Sequence, residues 1–187
     1  MTDLNDTFRK AHDLLNETYD AYSNAPSDLA KEFYEIKLQA CIFQYGVCAE
    51  MVTFNKELSG FARKVALKGL IHQLFEYHRV SKHLIQRAKK LCGDKGINVP
   101  DSNLREEGVK WRNQSKILEK WFEIRNKATG HYDKNTGIQI KLLETIDPEQ
   151  VMTVLTAFLS YNMVLLKFIR EVGRQQAPEG ALNTTRF

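Results

Sequence analysis

Proline and glycine are scarce in this chain, with four and ten among 187 residues. Both fall between long stretches of apolar periodicity. That excludes a fold of many short strands joined by tight turns and favours a few long helices. Cysteine is scarcer still. Cys41, Cys48 and Cys92 contain no CxxC pair, which excludes a zinc or redox motif of that type. An odd cysteine count without a signal-peptide pattern points to a reducing, cytoplasmic setting. Cys41 and Cys48 stand seven apart on a predicted helix and suit a core as small hydrophobes. No apolar run approaches the roughly 20 residues of a membrane span. The longest candidate, Val151 to Leu166, is broken by Thr153, Thr156, Ser160 and Asn162, so no membrane association is expected. Neither sign of charge dominates: a net charge of +4 permits a polyanionic partner without demanding one.

What is present is ordinary globular composition. At 43% hydrophobic and 27% charged residues, the chain has enough apolar surface to build a core, which excludes global disorder. The pattern predicts an all-α antiparallel bundle of about five helices, forming one domain over residues 1–174. A polar, flexible tail is expected over 175–187. The first helix runs from about Asp3 to Tyr22, with Leu4, Phe8, Ala11, Leu15 and Tyr19 on one face. Ser27 caps the second, Asp28 to Leu58, which is apolar on two sides and is expected to be central. The third spans Phe61 to Leu91 and stops at Gly93-Asp94-Lys95-Gly96. The fourth runs from Ser102 to Gly130, polar at first and apolar near its end, with Trp121 and Phe122 expected to be at least partly buried. Between Tyr132 and Ile146 no helical period is visible, and Gly137 to Leu142 alternates like a short extended arm. Asp147-Pro148-Glu149 opens the fifth helix.

The residues that can carry chemistry lie at the end of the fourth helix, in Glu123-Ile124-Arg125-Asn126-Lys127-Ala128-Thr129-Gly130-His131-Tyr132-Asp133. An arginine is followed directly by a polar residue, and after a short spacer by a histidine and a tyrosine. This is the chain's only Arg/His pair at such a spacing. The segment resembles the signature of the HEPN superfamily, and the likeness covers the motif and the all-α layout. Arg125, Asn126 and His131 match the family's catalytic places, and Tyr132 its accompanying aromatic. The resemblance implies a metal-independent ribonuclease, without cofactor, in a toxin, defence or abortive-infection setting. It implies a homodimer whose two motifs meet, RNA or nucleotide as ligand, and an antitoxin or other protein partner. Lys127 and Tyr132 are candidate substrate-binding residues.

The chemistry of these side chains agrees with that reading. Histidine titrates near neutrality and suits proton transfer at a ribose 2′-hydroxyl or a leaving 5′-oxygen. Arginine binds phosphate bidentately and stabilises charge developing on a phosphorane. Asn126 orients without adding charge. On an unbroken helix Arg125 and His131 would point about 120° apart. Gly130, a good C-cap residue, offers a way to redirect the chain. The bland alternative makes Arg125 a surface ion-pair residue and His131 a cap on the helix C-terminus. Two other functions stay open: a non-catalytic module of the same type that binds nucleotide or RNA, and a helical protein-interaction domain.

Two further features need an account. His72, Glu76, Arg79 and His83 share one face of the third helix. A metal there would need a third ligand from elsewhere, because His72 and His83 lie about 16 Å apart along the helix. A solvated or dimer-facing polar stripe is the simpler reading, and no metal site is expected. Lys82, Arg87, Lys89, Lys90 and Lys95 concentrate positive charge near that helix's end and suggest RNA steering. The apolar content of the second and fifth helices exceeds what one neighbour each could cover, which again predicts a homodimer.

Overall fold

The computed structural model describes residues 4–56, 59–130 and 135–176. All of its regular elements are helical, and no strand occurs among the described residues. Helix α1 spans Leu4–Ser23, α2 Asp28–Asn55, α3 Gly60–Asp94 and α4 Ser102–Ser115. A 3-10 stretch, Lys116–Trp121, a single α-turn α5, Phe122–Ile124, and a π-helical turn, Arg125–Gly130, continue from α4. Helix α6 spans Thr136–Glu144 and α7 Pro148–Gln176. Helix α7 runs through Gln176, two residues into the segment expected as a polar tail; the rest of that segment lies outside the described residues.

Local sequence explains most of these boundaries. Ser27 accepts a hydrogen bond from the Ala30 amide at 3.2 Å and caps α2. Gly60, at φ +57°, reverses the chain into α3. At the far end of α3 the Ile97 amide donates to the Cys92 carbonyl and the Gly96 amide to the Gly93 carbonyl, with Gly96 at φ +64°. That is a Schellman closure, and Ile97 packs back on the core as its hydrophobic partner. Asp147 accepts from the Glu149 amide at 3.0 Å and starts α7.

Long helices that follow one another in the chain run antiparallel, whereas α3 and α7 run the same way. Gly46 faces Gln73, and Gly69 faces Glu50, so α2 and α3 run in opposite directions with glycines at the closest approaches. Helix α2 packs against α1, α3 and α7, the central role its two apolar faces predicted. An aromatic cluster joins four helices. Tyr77 of α3 meets Phe158 of α7 with ring centroids 4.6 Å apart, Trp111 of α4 at 5.6 Å and Phe43 of α2 at 5.5 Å, all edge to face. Asn162, buried on α7, donates to the Ala40 carbonyl and to the Gln44 side chain, tying α7 to α2.

Three expectations are corrected. Residues 137–142 are not extended but belong to α6. Asn135 caps that helix through the Gly137 amide, and Leu143 is its buried residue. The fourth segment is not one regular helix but changes winding three times after Ser115. Trp121 is buried, whereas Phe122 is 54% exposed. The tighter 3-10 winding turns the chain so that Leu118, Trp121 and Ile124 take the inner side. In addition, α7 carries an 18-residue window of mean hydropathy 1.6, long and apolar enough to cross a membrane by length and composition, and half of that window is buried inside the bundle. Counting uninterrupted apolar residues missed it. Thr153 and Thr156 return their hydroxyls to the Glu149 and Met152 carbonyls of the same helix, so they do not break it.

The α3–α4 connection makes a pH prediction. Asp101 accepts from Arg105 at 2.8 Å and from Lys89 at 2.6 Å. These two bonds, Arg105 first, hold its carboxyl down at about 2 against an ordinary 3.8. A carboxylate with a depressed folded pKa contributes stability that is present above its unfolded pKa and lost as pH falls through the folded one. Screening at this surface limits the contribution to less than about 1 kcal/mol. Asp101→Asn should therefore be less stable than wild type at neutral pH by that margin. The two chains should converge in thermal melts as pH drops from 3.8 towards 2.

Candidate active site

The site grows from two elements: the middle of α3 and the π-turn that follows α5. A π-turn closes its hydrogen-bonded ring one residue later than an α-turn, so Gly130 rather than Thr129 stacks over Arg125. Such turns are uncommon and recur at functional sites. Ala128, almost fully buried in the core, anchors the turn against the bundle, and the turn packs on α3.

Arg125 is half-buried and firmly held. One guanidinium nitrogen, Nη2, donates to Glu76 Oε1 at 2.8 Å, and Nη1 donates to Asn126 Oδ1 at 3.0 Å. The other oxygen of Glu76 accepts from Arg79 at 2.9 Å. One carboxylate thus bridges two guanidinium groups, and the trio keeps a net positive charge. The Arg125 hydrogen bond, above all, holds the Glu76 carboxyl below its usual range. Lys127 pairs with Glu123 at 2.8 Å, one helical turn away. One turn before Glu76 on α3 stands half-buried His72. Burial pushes the Glu50 carboxyl up.

The structure therefore brings Arg125 and Asn126 into direct contact and sets Lys127 beside them, paired to Glu123. His131 and Tyr132 lie outside the described residues. Glu76 and Arg79 are the residues whose link to Arg125 the sequence did not show. They appeared as part of a solvated or dimer-facing stripe, but Glu76 is the contact that orients Arg125, and Arg79 shares its carboxylate. Only the stripe's regular spacing was visible, since the partner stands 49 residues further on. His83, the last member of the stripe, is exposed and away from this contact. The basic stretch is also less charged than it looked: Arg87 pairs with Glu35 at 2.7 Å, and Lys89 with Asp101.

No protein-family model, curated protein or solved structure matches this chain.

Proposed function

We propose that the chain is a metal-independent RNA endonuclease of the HEPN type, acting in the cytoplasm in a toxin or defence setting. The observation that carries this reading is the arginine at the π-turn. Arg125 is fixed in orientation by Glu76 and Asn126 and remains partly accessible. A guanidinium oriented before substrate arrives loses little entropy on meeting a phosphate. The sequence supplies His131 one residue beyond the turn as the group to move protons. In this mechanism the substrate's own 2′-hydroxyl attacks the adjacent phosphorus and the bond to the 5′-oxygen breaks. The products carry a 2′,3′-cyclic phosphate and a free 5′-hydroxyl. The test is cleavage of RNA, but not of DNA of the same sequence, in the presence of EDTA, with the cyclic end identified by mass spectrometry. Absence of cleavage, or cleavage of DNA as well, rejects it.

The same ion pair favours a second reading, a module that binds RNA or nucleotide without cutting it, because Glu76 offsets part of the Arg125 charge. In both readings α7 serves as a core helix and the protein acts as a homodimer. Phe122, Ile138 and Ile140 support that assembly. They are exposed apolar side chains on α5 and α6, and α6 packs beside α5 and the π-turn. Light scattering at micromolar concentration should return a dimer for wild type and a monomer for Phe122→Glu. A monomeric wild type rejects the assembly, and with it a composite site.

A further inference from the structure

Between α3 and α4 runs an open groove of about 1040 Å³. Five cationic side chains line it, Arg79, Lys82 and Lys89 from α3 and Arg105 and Arg112 from α4, and no carboxylate does. The charge is unevenly compensated. At one end Lys89 and Arg105 share Asp101, and at the other Arg79 is bonded to Glu76. Lys82, midway, and Arg112, level with His78 at the Arg79 end, are exposed and have no ion-pair partner among the described residues. Uncompensated positive charge therefore runs from the middle of the groove to its Arg79 end, where a polyanion gains most.

The groove also has a direction. From Lys89 to Arg79 it follows ten residues of α3, about 15 Å at the helical rise. It ends at Arg79, whose carboxylate partner Glu76 also holds Arg125. A chain of phosphates lying along it would be delivered to the candidate site. Its floor is closed. Trp111 and Tyr161 lie stacked with centroids 6.4 Å apart and are almost fully buried. The Ser81 and Ser115 hydroxyls donate to carbonyls of their own helices. Apart from the exposed His78 imidazole, bases have no ring to stack on, so contact falls mainly on the phosphate backbone and is tolerant of sequence.

The geometry points to this groove as the path of a single-stranded RNA backbone leading to Arg125, with Lys82 and Arg112 as its main phosphate contacts. The RNA assignment rests on the nuclease reading; the polyanion path rests on the groove alone. The test uses a short fluorescein-labelled oligouridylate with 2′-O-methyl groups, which cannot be cut, titrated by anisotropy against the full chain at several salt concentrations. Lys82→Gln/Arg112→Gln should bind roughly tenfold or more weakly at low salt. Its log–log salt slope should be smaller by about 1.4, at about 0.7 per phosphate contact of a single strand. Both substituted side chains are exposed, so circular dichroism should be unchanged. Equal affinity and slope in the double variant overturn the proposal, as do equal binding of the same sequence as a duplex and equal displacement by polyglutamate. The two readings fail separately. RNA cleavage by wild type with unaltered binding by the double variant removes the groove and leaves the nuclease. Groove-dependent binding without any cleavage does the reverse.

Discussion

RNA cleavage in EDTA should fall roughly 10²–10⁴-fold in His131→Ala, the loss that follows removal of a general acid or base. Arg125→Ala should lose about 3 kcal/mol of transition-state stabilisation, as other oriented charge donors do. Arg125→Lys should not restore it. Lysine is a point charge that cannot hold Glu76 and Asn126 in the forked geometry seen here while meeting a phosphate. Asn126→Ala should cost less, since that side chain orients without transferring a proton. Glu76→Gln is the test of positioning. It keeps an acceptor for Arg125 but removes the carboxylate charge that bridges to Arg79, so kcat should fall with KM little changed, while Glu76→Asp should recover part of the loss. Cleavage that disappears with EDTA, or persists undiminished in the His131 and Arg125 variants, rejects the mechanism. RNA binding that survives His131→Ala in a chain that never cleaves supports the binding-module reading.

The second large effect concerns the fold. Phe158→Ala should destabilise the protein by about 3–5 kcal/mol, the range for removing a fully buried aromatic ring. Phe158 has no exposure and meets Tyr77 edge to face with centroids 4.6 Å apart, with Trp111 at 6.4 Å. Those rings belong to α3, α4 and α7, so the cavity opens where three helices meet and cannot collapse by moving one of them. Urea unfolding gives the difference. A loss below about 1 kcal/mol would mean that the cluster relaxes freely and does not hold α4 against α7.

Helical layout was legible because its signals are local. Ser27, Gly60, Gly96, Asp147 and Pro148 mark ends by capping geometry that involves only residues within a turn. The apolar stripes of α2, α3 and α7 are long enough for the 3.6-residue period to show. Where the signal was short, sequence misled. Residues 137–142 alternate, yet they are helical, capped by Asn135 through the Gly137 amide. Phe122 stands next to Trp121 in an apolar run, but the 3-10 winding before it puts one ring in the core and the other outside.

By itself, the sequence determined that this is an all-α chain of a few long helices, and it singled out Arg125 and Asn126 as neighbours on one late segment. Tertiary structure alone decided what Arg125 is bonded to. Glu76 lies 49 residues earlier on α3, and no local pattern encodes the crossing of α3 with the π-turn. The same holds for the basic groove. Lys82 and Arg112 sit on different helices, and Arg87, an equal candidate in the linear sequence, is turned towards Glu35 of α2. Capping and periodicity are decided within a turn or two of the chain. A charge finds its partner only through the packing of whole helices, and that depends on every apolar stripe at once.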